Sequence, residues 1–349
     1  MKLTIIRTLA GLALILSLGV VTLGAYTRLT AAGLGCPDWP GCYGHMVVQP
    51  ESVAFDDTNV IKAWTEMAHR YVAGTLGLLI IALVSAAWSS SLRAERSNPA
   101  LAEVGETAKT GLLRSARNDG VSRGLSLTLL ALILFQAALG MWTVTLKLLP
   151  IVVMGHLLGG LSIVACLTWL FCRVRQPNEP TWQGTRLQRF ALFAAIITFI
   201  QIALGGWVSA NYAGIACVGF PTCNGQWLPS LDFSSAFHLF SPIGENYQGG
   251  LLDIGARITI QFVHRLGAVV TAVVLLALAY RLYAHHFRKS AWLVAGVVTA
   301  QFCLGIANVV WLLPLPIAVL HNGVAATLLA SLVAVNFALA THPTEETVA

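Results

Sequence analysis

LGAYTRLTAAGLGCPDWPGCYG (residues 23–44) aligns with LGGWVSANYAGIACVGFPTCNG (204–225) at a constant offset of 181, superimposing Cys36 on Cys217 and Cys42 on Cys223. EMAHR (66–70) matches QFVHR (261–265) at an offset of 195, and QAALG (136–140) matches QFCLG (301–305) at 165. The last offset also carries His156 onto His321. Self-similarity of this kind divides the chain into two halves. The offsets change only between blocks, where connecting loops differ in length.

Composition says what each half is made of. Of 349 residues, 56% are hydrophobic and 10% are charged, against about 25% charge in an ordinary soluble domain. Mean hydropathy is +0.74. Too few polar residues remain to cover a soluble surface, which excludes a soluble enzyme, a disordered chain and a nucleic-acid binder. A membrane-spanning helix needs about 20 mainly apolar residues. Eight stretches qualify: 6–27, 62–90, 124–146, 151–172, 188–209, 256–284, 291–312 and 315–340. The first follows Lys2 and Arg7, but its apolar run is too long for a signal peptide and no A-x-A site follows, so it reads as a retained helix. No Arg/Ser-rich mitochondrial extension precedes it.

The expected fold is an all-α polytopic membrane protein, its eight transmembrane helices forming two tandem, pseudo-two-fold-related four-helix bundles. Four is even, so both halves share one orientation about an axis along the membrane normal. Residues 1–90 with 124–172 make the N-terminal half and 188–340 the C-terminal half. The polar stretch 91–123 is a cytoplasmic linker, flexible or partly helical, and 341–349 a solvated cytoplasmic tail.

Fifteen of the 21 basic residues, among them Lys2, Arg7, Arg93, Arg96, Arg173, Arg175, Arg281 and Arg288, fall on one set of connecting segments. By the positive-inside rule both termini face the cytoplasm, and the loops 28–61 and 210–255 face outward. The expected location is the plasma (inner) membrane of a bacterium.

Four of the nine histidines lie inside spans: His69, His156, His264 and His321, one each in helices 2, 4, 6 and 8. An ionisable residue in a span is a functional candidate by default. A single one is as readily a packing histidine bonded to a neighbour's backbone; four at similar depth, repeated by duplication, argue against that. Zinc usually takes three or four ligands, often thiolates, and the membrane cysteines Cys166, Cys172 and Cys303 do not recur between halves. Facing imidazoles on opposite helices of a bundle suit the two axial positions of a haem. Glycines near the histidines (Gly74, Gly77, Gly155, Gly159, Gly160, Gly267, Gly323) would admit a flat macrocycle, or simply pack helices. Arg70 and Arg265 follow two of the histidines; each can pair with a haem propionate or snorkel to the headgroups.

The halves differ in one telling place. Glu66 lies three residues before His69 on the same helix face, whereas His264 is preceded there by Gln261, without charge or acid–base capacity. This marks a reactive site in the first half and a holding or electron-transfer site in the second; the plainer alternative is a local hydrogen-bonding role for Glu66. Each outward loop carries a C-x5-C, Cys36/Cys42 and Cys217/Cys223. In an oxidising compartment each pair can form a disulfide, as a structural staple or a labile redox bridge.

CPDWPGCYG, EMAHR, CVGFPTCNGQW, QFVHRLG and VLHNG in a duplicated eight-helix chain resemble the haem A synthase family (CtaA/COX15) from about residue 5 to 340. The resemblance implies an oxidoreductase that converts the C8 methyl of haem O to a formyl group, giving haem A for aa3-type oxidases. It assigns His69 and His156 to the substrate haem, His264 and His321 to a bound haem b, and Glu66 to catalysis. Cys36 and Cys42 match the extracytoplasmic cysteine pair. Haem O is then the lipid-soluble substrate and the membrane lipid its route. The partners this suggests are an unidentified electron acceptor, a haem O synthase, oxidase assembly factors and a homo-oligomer. A bis-histidine electron carrier and a haem or small-molecule transporter are the rival readings. The carrier does not explain the Glu66/Gln261 difference. The transporter does not fit sites near one face.

Overall fold

The computed structural model describes residues 2–53, 57–96, 122–176 and 179–342. Its long helices are α1 (Lys2–Leu29), α2 (Asp57–Arg96), α3 (Arg123–Thr145), α4 (Pro150–Arg175), α5 (Arg186–Ala210), α6 (Ile254–Ala284), α7 (Arg288–Val310) and α8 (Leu315–Thr341). All eight are long and apolar enough to cross a bilayer, so the chain is a multi-pass membrane protein. A helix pairs its own backbone groups, which is what hydrocarbon demands. Large apolar side chains such as Ile15, Leu134 and Trp292 stand exposed on the helix surfaces, where acyl chains can cover them.

Local signals explain several boundaries. Ser122 accepts a hydrogen bond from Leu125 N and starts α3. Thr185 and Gln188 form a capping box at α5, satisfying two backbone donors at once. Proline in the first turn opens α4 and α8, where its missing N–H costs nothing. Helix α2 starts at Asp57 rather than at 62, because its polar first turn continues the helix beyond the apolar run. His69 therefore lies deeper in its helix than the hydropathy boundary implies. The expected linker 91–123 meets the described residues only at its two ends, and the tail 341–349 only at Thr341 and His342; the remainder lies outside them.

Packing runs in two cycles. Helix α1 touches α2 and α4, α3 touches α2 and α4, and in the later part α5 touches α6 and α8 while α7 touches α6 and α8. Helix α8 also packs on α1 and α4, and α4 on α5. At the α4–α5 crossing Gly206 permits close approach: a Cβ there would lie 2.5 Å from Leu157 and 2.8 Å from the Met154 sulfur.

The backbone repeats what the sequence repeats. Lys147 and Leu148 adopt φ of 46° and 63°, and Leu312 and Leu313, 165 positions on, 55° and 64°. Ala31 and Tyr212 share φ of 53°, and Tyr43 and Asn224 have 52° and 51°. Non-glycine residues seldom enter this left-handed region, so its recurrence at matched positions is a strong mark of duplication. Both cysteine loops contain a cis X-Pro bond (Trp39-Pro40, Phe220-Pro221) and close with the same short bridge, Cys42 to His45 and Cys223 to Gln226.

Candidate functional site

The four histidines sit in four helix hairpins, each ring against a glycine of the preceding helix. A Cβ built on Gly24 (α1) would lie 3.0 Å from His69 Cε1 on α2, and one on Gly140 (α3) 3.3 Å from His156 Cε1 on α4. One on Gly205 (α5) would lie 2.9 Å from His264 Cε1 on α6, and one on Gly305 (α7) 3.3 Å from His321 Cε1 on α8. A Cβ at these distances would crowd the ring, most severely at Gly205. The glycines expected from sequence do other work: Gly74 faces open space, Gly155 meets Leu139, Gly323 meets Thr22, and Gly159, Gly160 and Gly267 face glutamine side chains.

His69 and His156 come together across the first cycle, ring centroids 6.5 Å apart and planes at 82°. A metal–imidazole bond is about 2 Å and a ring centre lies about 1 Å behind its nitrogen, so two imidazoles flanking one ion have centres about 6 Å apart. The observed separation fits such a pair. Nδ1 of His69, His156 and His321 is buried without a partner. Among the described residues no group of three or more His, Cys, Asp or Glu is placed to hold a metal ion.

Glutamines complete the setting, and sequence reading missed their role. Gln136 Nε2 donates to the His156 carbonyl. Gln201 Nε2 donates to the His264 carbonyl at 2.9 Å and lies 2.9 Å from its Nδ1. Gln301 Nε2 lies 3.2 Å from His321 Nε2. The signal was present: QIALG (201–205) is a third copy of the QAALG and QFCLG motif.

Glu66 is 4% exposed, and both its oxygens are engaged. Oε2 accepts from the Cys36 backbone N–H at 2.8 Å, and Oε1 pairs with Arg70. Arg70 also donates to the carbonyls of Asp38 at 2.9 Å and Gly41 at 2.5 Å. Arg265 does the same for the second loop, donating to Gly219 at 2.9 Å, Thr222 at 3.2 Å and Cys217. Both guanidiniums thus tie a cysteine loop to a histidine helix. Gln261, in the place of Glu66, is 5% exposed and its Oε1 has no partner. Cys36–Cys42 and Cys217–Cys223 are disulfide-bonded, and all four cysteines are buried. Cys166, Cys172 and Cys303 are free thiols.

At the disulfide end Arg28, closing α1, donates to the Tyr212 hydroxyl and to Ser209 O at 2.8 Å, and its guanidinium lies 3.9 Å over the Tyr212 ring. This pins the exit of α1 to the exit of α5.

A family profile described as cytochrome oxidase assembly protein, COX15-CtaA, matches residues 7–333. A haem A synthase of Shewanella oneidensis is 43% identical over 339 residues, covering 93% of this chain and 94% of that protein. Those of Rhizorhabdus wittichii and Halalkalibacterium halodurans are each 26% identical, covering 91% and 95% of this chain and 89% and 95% of their own lengths.

Proposed function

This chain belongs to the COX15-CtaA family of cytochrome oxidase assembly proteins, and from that premise we propose a haem-oxidising mechanism divided between its two halves. The protein is a haem A synthase, an oxidoreductase that converts haem O to haem A. The observation that carries the mechanism is the His69–His156 ring pair at 6.5 Å, with Glu66 one helical turn away.

In this reading the chain is two tandem four-helix bundles related by a pseudo-two-fold axis, 1–90 with 124–172 and 188–340, both termini cytoplasmic and the disulfide loops outside. The paired cycles of helix contacts and the repeated torsions support it. His69 and His156 hold the iron of haem O from opposite sides. The substrate enters sideways from the bilayer, where its isoprenoid tail is at home.

Oxidising the C8 methyl to an aldehyde requires R–CH3 + H2O → R–CHO + 4 H+ + 4 e−, the four electrons passing to an electron acceptor outside this chain. It passes through the alcohol and then a gem-diol that loses water. Protons must leave from the edge of the macrocycle. Glu66 is the only carboxylate placed for this among the described residues of the first hairpin's buried face, and Arg70 and Cys36 N–H hold it ready.

The second half fits a resident haem b, with His264 and His321 as ligands. The imidazole donors and their glycine cradles suit it, and when bound it supplies one-electron chemistry. A haem b held by His321 would compete with the contact from Gln301 to its ring. Gln261 offers no acid–base group there, consistent with holding rather than reacting. Arg70 and Arg265, donating to loop carbonyls, fix the loops over the sites. Burial of both disulfides supports the staple role over a labile one.

Haems extracted from membranes co-expressing the chain with a haem O synthase test the reading by mass and visible spectrum. Haem A, or its hydroxylated precursor, is expected only when the chain is present. Unchanged haem O beside a well-expressed, haem-loaded chain would favour a bis-histidine electron carrier instead.

A further inference from the structure

The four histidine hairpins differ in a device that the mechanism above leaves unused. Four residues before each ring-facing glycine stand Val20, Gln136, Gln201 and Gln301; three residues after each histidine stand Val72, Gly159, Gly267 and Val324. Where glutamine and glycine occur together, the amide crosses between helices and donates to the histidine's own backbone carbonyl, as Gln136 does to His156 and Gln201 to His264. That carbonyl has a second lone pair to spend beyond its helical bond. The glycine is the slot for the amide: a Cβ on Gly159 or Gly267 would collide with the Gln136 or Gln201 side-chain oxygen. In the fourth hairpin Val324 takes the slot position, and Gln301 stops at the ring, 3.2 Å from His321 Nε2. In the first hairpin both positions are valine, and His69 has neither contact.

We infer that Gln136 and Gln201 are positioning residues that lock the helix turns bearing His156 and His264, and that unclasped His69 is the ligand that yields when substrate enters and product leaves. The inference rests on the functional reading above. A site that retains its haem gains from restraint on both ligands, and both second-half histidines contact a glutamine. A site that turns over needs one fixed ligand, to set the macrocycle against Glu66, and one that lets go. The first half has one of each.

The test uses the purified full-length chain, loaded by co-expression with a haem O synthase and mixed with excess apomyoglobin as haem acceptor. Gln136→Met keeps side-chain bulk and removes the donor. Interhelical hydrogen bonds in membranes are modest, so haem O loss is expected to quicken on the order of three- to thirty-fold. The haem b spectrum should be unchanged, which also certifies the fold. Val20→Gln with Val72→Gly builds the missing clasp and should slow haem O loss by a similar factor. Gln201→Met should shift the low-spin electron paramagnetic resonance signal of haem b without altering haem O loss. Loss rates within twofold of wild type in both folded first-half variants would overturn the proposal. A wild-type chain that yields none of haem O, its hydroxylated form or haem A would refute the functional reading instead, while the Gln201→Met signal would still decide whether the clasp orients its histidine.

Discussion

Glu66→Gln separates the two tasks of this carboxylate, and the structure gives the size of each. The amide oxygen of glutamine can still accept from Cys36 N–H, now 2.8 Å from Glu66 Oε2. Arg70 loses its charged partner but keeps the carbonyls of Asp38 and Gly41. Hydrogen bonds to charged groups contribute about 1.5–3 kcal/mol and neutral ones about 0.5–1.5. The bond from Cys36 is downgraded and the one from Arg70 is lost, because the glutamine NH2 can only face that guanidinium as a second donor; together this costs about 3 kcal/mol, which a membrane bundle of ordinary stability survives. The second half already carries a glutamine in this place: Gln261 is buried there with its Oε1 unpartnered, and Arg265 donates to three loop carbonyls while its Nε is unpartnered. Proton transfer has no such substitute, and general acid–base catalysis contributes on the order of 10²–10⁴-fold. Glu66→Gln should therefore express, keep both disulfides and bind haem b, yet lower haem A output at least about a hundredfold with haem O accumulating. The assay is quantitative mass analysis of extracted haems at matched expression. Wild-type haem A output would refute the catalytic role. Collapse of the folded protein would refute the hydrogen-bond arithmetic. Glu66→Ala is the poorer probe, since it strands both Cys36 N–H and the Arg70 guanidinium at about 3–5 kcal/mol.

Further outcomes follow from the same geometry. Gly205→Leu drives a side chain into His264 from a Cβ only 2.9 Å from its ring, so haem b should be lost while the first-half disulfide remains, read by the visible spectrum and by thiol labelling. Replacing Cys36 and Cys42 together by serine releases a small closed loop, whose loss costs about 2 kcal/mol on the chain-entropy account; the thermal midpoint in detergent should fall, and haem A output should fall less than in Glu66→Gln. Unaltered stability would contradict the staple role. Arg28→Ala removes the bonds from α1 to Tyr212 and Ser209 O. About 1–3 kcal/mol of stability should go with them, measured as faster proteolysis of the loops at the disulfide end.

The eight spans, the duplication and the four histidines were legible in the sequence because each is a local or one-dimensional property. Hydropathy sums over a window, a repeat is an offset, and an ionisable residue in an apolar run is conspicuous. The contacts around the site were not legible, and Arg70 shows why. Its place after His69 suggested a propionate or a headgroup; besides Glu66 one turn back, it meets the carbonyls of Asp38 and Gly41, in a loop some thirty residues away. Glu66 likewise meets Cys36 N–H only because the loop folds back over α2. The glycines that touch the rings are on the opposite helices from those flanking the histidines in sequence.

In a soluble helix the apolar stripe announces which face is inward. A membrane helix is apolar all round, so its sequence sets that it spans and which spans carry His69, His156, His264 and His321, but not how it is rotated against its neighbours. By itself the sequence determined the number of spans, the two-fold repeat, the ligand types and the Glu66/Gln261 difference. The rotation and close approach of packed helices decided that each imidazole rests on a glycine, and that His69 alone lacks a glutamine contact. These follow from side-chain volume at the crossings, where a glycine or a valine settles whether an amide can pass.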